Sequence, residues 1–110
     1  MVLLTPLGEL ELANALELRI FRREATATAI RTVQARIQEH VRAGFFSVQP
    51  MPMTAYERAR RMTRRHSAQL GTRTLDILHI TSAIELGAER FLTFDERQRK
   101  LAQVEGLRVG

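Results

Sequence analysis

The chain has 110 residues, 45% apolar and 26% charged, with no cysteine and a formal net charge of +5. That length and balance fit one domain with its own core and argue against disorder. The composition excludes disulfides and thiolate metal sites and fits the cytoplasm, no run of about 18 apolar residues could span a membrane, and Met1-Val2-Leu3-Leu4-Thr5-Pro6 lacks the basic start and long apolar run of a secretory signal.

Val2 to Leu4 reads as a short buried strand. Thr5 is suited to cap a helix and Pro6 to open it; the helix should run to about Arg23, with Leu7, Leu10, Ala13 and Leu16 or Ile20 on its core stripe. A second helix, about Thr28 to Arg42, carries Ile30, Val33, Ile37 and Val41 on one face, and Gly44 ends it. Phe45 to Val48 is a strand. Pro50 and Pro52 break the chain before a helix from about Thr54 to Leu70, which Gly71 closes. The helix from about Leu75 to Leu86 is apolar nearly all round, so it should be largely buried; Gly87 caps it. Phe91 to Thr93 is a strand, Asp95 begins a helix to about Val104, Gly106 turns the chain and Leu107 to Val109 is the last strand. Strands alternating with helices predict an α/β sandwich with a mainly parallel sheet.

Asp76 and Asp95 are the only aspartates. Ligands of a parallel sheet gather at the carboxyl ends of its strands, and Asp95 follows one. Asp76, at the head of a buried helix, needs helix-end N–H groups, an arginine or a metal as partner. Glu11, in Leu10-Glu11-Leu12-Ala13-Asn14-Ala15-Leu16, is a third acid among apolar neighbours. Carboxylates that converge repel one another, and Mg²⁺ or Mn²⁺ with oxygen ligands resolves the repulsion. Such an ion activates water and stabilises the leaving oxygen of a phosphodiester. Each residue also has an ordinary structural role open to it: Asp76 as a helix cap or the partner of Arg73, Asp95 as the N-cap of the last helix, and Glu11 as a solvated helix residue with Glu9 as its competitor. His79 is better read as a core histidine than as a ligand, and His40 and His66 carry no signal.

The basic residues are 16 Arg and one Lys. Six arginines (58, 60, 61, 64, 65 and 73) lie between Met51 and Leu75 against one acid, Glu57. Such a face suits nucleic acid or an acidic protein partner, although a GC-rich genome also enriches arginine.

The stretches Arg73-Thr74-Leu75-Asp76-Ile77-Leu78-His79-Ile80-Thr81-Ser82-Ala83, Phe91-Leu92-Thr93-Phe94-Asp95-Glu96-Arg97-Gln98 and Gly106-Leu107-Arg108-Val109 resemble the C-terminal half of a PIN domain, most closely the VapC-type toxins of toxin–antitoxin pairs. The Leu10 to Leu16 segment resembles that family's first acidic helix. The resemblance covers essentially the whole chain. It implies a PIN-like three-layer sandwich, a cytoplasmic Mg²⁺- or Mn²⁺-dependent endoribonuclease, and Glu11, Asp76 and Asp95 as catalytic metal ligands. Thr93 would support the metal or the phosphate, and Arg97 and Gln98 would belong to the helix after the last acid. RNA would be the substrate, an antitoxin the inhibitor, and a homodimer the assembly.

The pattern departs from the family at its start. A PIN domain opens with an apolar strand ending in Asp, and nothing among the ten residues before Glu11 corresponds to it. The resemblance therefore implies a sheet lacking its central first strand, with Val2–Leu4 and Phe45–Val48 as one half-sheet and the strands near Phe91 and Val109 as the other. A misassigned start and a decayed gene both account for the departure. Two further readings belong to other classes: a catalytically impaired PIN fragment that binds nucleic acid or antitoxin, and a purely helical DNA-binding regulator, with which the strands near Asp95 and Val109 do not agree.

Overall fold

Capping chemistry sets the first helix. Thr5 is extended, its hydroxyl accepts from the Gly8 N–H at 3.0 Å, and Pro6 follows at the first helical position. There the ring forfeits no helical hydrogen bond. The computed structural model describes residues 2–93 and 95–110; Met1 and Phe94, both within segments quoted above, lie outside them. The chain divides into two compact units, Met1–Pro50 and Met51–Gly110.

In the first unit, β1 (Val2–Leu4) leads into α1 (Pro6–Phe21), α2 (Ala27–Arg42) and β2 (Phe46–Val48). The strands pair in parallel, Val2 with Phe46 and Leu4 with Val48. Arg23, just past α1, takes a left-handed φ of +60°, which ends the helix before the expected boundary. Thr26 caps α2 through the Ala29 N–H. Arg31 and Glu17 join the two helices by an ion pair, whose hydrogen bond holds the Glu17 carboxyl below the ordinary carboxylate value.

The core stripe expected on α1 is not buried: among the described residues α1 has no buried position, and Leu10 and Phe21 stand 66% and 83% exposed. On α2 only Ile30 is buried. Some of the expected apolar positions, Ala13, Leu16, Ile37 and Val41, instead line an open groove of about 300 Å³ together with Leu4, Leu12 and Glu9. Helical periodicity identifies an apolar stripe but not whether anything covers it.

In the second unit, the expected 54–70 helix is three segments in series: α3 (Met53–Met62), a π-helical turn (Thr63–Ser67) and α4 (Ala68–Leu70), stopped by Gly71 at φ +65°. No Gly or Pro marks the π turn in the sequence. Then come α5 (Thr74–Glu85), β3 (Arg90–Phe91), α6 (Glu96–Val104) and β4 (Arg108–Val109). The two strands pair in parallel, Arg90 with Arg108 and Phe91 with Val109. Both are shorter than expected, so Asp95 follows its strand at a distance rather than directly.

The core of this unit is Ala59, Met62, Ile77, Ile80, Leu101 and Ala102, with Leu70, Leu78, Ile84, Phe91, Leu107 and Val109 packed around it. From Asp76 to Leu86 no residue is exposed, as the nearly all-round apolar sequence of α5 requires. Among the described residues the strands form two two-stranded parallel sheets, which are the two strand pairs expected. The architecture is mixed α/β with short parallel strands. No described helix is long and apolar enough to cross a membrane.

Candidate active site

The site grows out of two helix N-termini. Leu70 and Gly71 end one helical run, and Arg73 then takes extended backbone (φ −94°, ψ 159°) to open α5. Asp76 is the third residue of α5, and its Oδ2 reaches back to accept the Arg73 N–H at 3.2 Å. This is one half of a capping box. The other half needs an acceptor on residue 73, and a guanidinium has none. Asp95 opens α6: its Oδ1 accepts from the N–H groups of Arg97 at 2.9 Å and Gln98 at 3.1 Å. Both aspartates thus do the ordinary work of helix ends, and in each case that work leaves part of the carboxylate for a second role.

The two carboxylates are joined in two ways. The first is Arg73, whose Nε lies 3.4 Å from Asp76 Oδ2 and whose Nη2 lies 3.6 Å from Asp95 Oδ2. One guanidinium therefore faces the outer oxygens of both acids. The second is Gln98, whose Nε2 donates to Asp76 Oδ1 at 2.9 Å while its backbone N–H caps onto Asp95. Thr93 orients that amide. Its hydroxyl accepts from the Asp95 N–H at 3.0 Å and donates to Gln98 Oε1 at 2.7 Å. With the amide oxygen held by Thr93, the amide nitrogen must face Asp76.

Burial separates the acids. The Asp76 side chain is 4% exposed, that of Asp95 is 38%, and that of Arg73 is 64%. A carboxylate as enclosed as Asp76 needs compensating donors, and it has the Gln98 amide, the Arg73 backbone and the guanidinium.

The structure thus brings together Asp76, Asp95, Thr93 and Gln98 of the residues singled out in the sequence. Arg97 adds its backbone N–H and is otherwise exposed. Glu11 stands half-buried on α1 in the first unit, and Glu9 is exposed near it. His79 is half-buried on α5. Among the described residues no three His, Cys, Asp or Glu side chains cluster as a metal would need. Sequence reasoning paired Arg73 with Asp76 alone and missed its reach to Asp95. It also missed Arg99, whose Nη2 donates to the Thr93 carbonyl at 3.4 Å. The signal for Arg73 was available only in part, because its link to Asp95 joins two helix starts far apart in sequence.

Of the six clustered arginines, Arg58 is tied to Glu85 at 2.8 Å, Arg65 to Glu105 at 3.5 Å, and Arg73 to the two aspartates. Arg60, Arg61 and Arg64 are exposed. His66, on the π turn, also meets Glu105 at 2.8 Å, so its ring is engaged in a packed polar contact.

The family model of the PIN domain matches residues 2–104, nearly the whole chain. The chain belongs to the PIN domain family. Comparisons with curated proteins and with solved structures gave no match. PIN domains are in general nucleases, hence hydrolases acting on nucleic acid, and they generally use divalent metals such as Mg²⁺. The donor set of this PIN domain fits that requirement in part. Asp76 Oδ2 and Asp95 Oδ2 are hard oxygen donors that already bracket one cationic group. Two carboxylates suffice for an ion that keeps most of its water and takes further ligands from a phosphate.

Proposed function

We propose that this PIN domain is a metal-dependent endoribonuclease of a toxin–antitoxin system, with Asp76 and Asp95 as the core of its Mg²⁺ or Mn²⁺ site. The observation that carries the reading is the convergence of the outer oxygens of Asp76 and Asp95 on a single cationic position. Bound there, the ion would supply an activated water and stabilise the charge that develops on the scissile phosphate. The chain's own residues do the rest. Gln98 and the helix N-termini fix the two carboxylates, and Thr93 fixes Gln98. The exposed Arg60, Arg61 and Arg64 supply positive charge for the RNA backbone. An antitoxin would silence the enzyme at the same site, and a homodimer in the cytoplasm is the expected assembly.

The reading is tested by Mn²⁺-dependent cleavage of a structured RNA. Cleavage should disappear in both Asp76→Asn and Asp95→Asn, and turnover that persists in both would sink the assignment. A second reading is that of a catalytically impaired PIN fragment that binds nucleic acid or antitoxin. It is favoured by the lack of a three-acid cluster among the described residues. It predicts salt-sensitive RNA association without turnover.

A further inference from the structure

We propose that Arg73 is a tethered cation that holds the metal position of this site and must swing out before a divalent ion can enter. The proposal rests on the reading of Asp76 and Asp95 as metal ligands. Its starting point is how the two carboxylates divide their oxygens. Each turns Oδ1 to neutral donors: the Gln98 amide for Asp76, and the Arg97 and Gln98 backbone for Asp95. Each turns Oδ2 to the same guanidinium. Asp95 Oδ2 is left over by its helix cap, while Asp76 Oδ2 also accepts the Arg73 backbone N–H; both face the Arg73 guanidinium.

Arg73 and an ion exclude each other there. Divalent Mg²⁺ binds carboxylate oxygen at about 2.0–2.1 Å, and the guanidinium nitrogens already stand 3.4 and 3.6 Å from the two oxygens. Like charges would also oppose co-occupancy. The arginine is built to leave. Its side chain is 64% exposed, so the released head passes into water, and its pair with the partly exposed Asp95 is of the weak surface kind. Its backbone stays, because the Arg73 N–H remains bonded to Asp76 Oδ2. Asp76, by contrast, is enclosed and cannot be left without positive charge nearby. An arginine that covers the site in the metal-free state and yields to the ion meets both conditions. Once swung out, the guanidinium remains at the rim, within a side chain's length of the pair.

The test is a Mn²⁺ titration of the full chain, reading free Mn²⁺ by electron paramagnetic resonance, for the wild type and for Arg73→Gln, Arg73→Lys, Asp76→Asn and Asp95→Asn. Arg73→Gln should tighten Mn²⁺ binding by roughly two- to fivefold, the scale of one lost competing ion pair. Arg73→Lys keeps the charge but not the fork that spans two oxygens, so it should fall between. Metal-free Arg73→Gln should melt lower than the wild type, and saturating Mn²⁺ should raise its melting temperature by more. In the wild type, Mg²⁺ should shift the Arg73 Nε–Hε resonance toward that of a solvated arginine; this reading needs no variant to fold. Unchanged or weaker Mn²⁺ binding in Arg73→Gln, or an Arg73 resonance indifferent to Mg²⁺, overturns the proposal while Asp76→Asn still abolishes binding. If Asp76→Asn and Asp95→Asn bind Mn²⁺ as the wild type does, the metal reading of the pair fails first.

Discussion

Gln98 donates its side-chain amide to Asp76 across 2.9 Å, tying α6 to the head of α5 over 22 positions of sequence. The bond is oriented by a chain of donors that runs from the Asp95 N–H through the Thr93 hydroxyl to the Gln98 oxygen. Gln98→Ala breaks that chain in the middle and leaves the enclosed Asp76 carboxylate one donor short. Removing a hydrogen bond to a charged group costs about 1.5–3 kcal/mol, and urea unfolding should show a loss in that range. Thr93→Val should cost less, because it frees the amide to rotate without removing it. Equal losses for the two would mean that Thr93 acts on more than Gln98.

Asp95 carries two roles that substitution can separate. As N-cap of α6 it accepts two backbone N–H groups, and Asp→Ala at such a position costs about 0.5–2 kcal/mol. Asn and Ser cap about as well as Asp. Asp95→Asn and Asp95→Ser should therefore hold stability within about 0.5 kcal/mol of the wild type while losing Mn²⁺ affinity and cleavage. Asp95→Ala should lose both. Thermal melts beside nuclease assays read the split, and an Asp95→Asn that cleaves normally would reduce Asp95 to a cap.

What the sequence disclosed, and what it hid, follows from the range of the interactions. Thr5, Pro6, Gly71 and Asp95 act on backbone groups within a few residues, so their roles were legible from local chemistry. The buried run of α5 was legible because it is apolar on every side. The two strand pairs were legible as expected half-sheets through family resemblance rather than through propensity, since strands of two or three residues carry little signal of their own. The uncovered face of α1 was not legible, because Leu10 and Leu16 look alike to a periodicity whether or not a partner lies over them. The bridge from Arg73 to Asp95 was not legible either. It depends on β3, the following loop and α6 returning the chain to the start of α5.

The Arg58–Glu85 pair makes stability depend on pH in a definite direction. The pair joins α3 to α5 at 2.8 Å. The hydrogen bond from Arg58 holds the Glu85 carboxyl below its ordinary value of 4.5. A depressed carboxyl favours the folded state while it is ionised in both states, so the contribution is complete above 4.5 and is lost as the pH falls through the folded value. Glu85→Gln should accordingly be less stable than the wild type at neutral pH. The gap should stay level in mildly acidic buffer and close below the ordinary carboxylate value. A gap that widens on acidification would contradict the sign of the shift.

Two buried positions on α5 should respond in opposite ways to the same substitution. Ile80 is fully enclosed in the core of the second unit. Ile80→Ala removes buried methyl groups and leaves a cavity, at a cost of about 2–5 kcal/mol. Ser82 is equally enclosed, at 2% exposure, but its hydroxyl has no hydrogen-bond partner among the described residues. An unpaired buried polar group is a cost of about 1–3 kcal/mol to the folded state, and alanine is also the better helix former. Ser82→Ala should leave stability unchanged or raise it by about 1 kcal/mol, measured by urea unfolding with an unaltered slope. A loss above about 1 kcal/mol would show that the Ser82 hydroxyl is bonded in solution, through water or an altered rotamer.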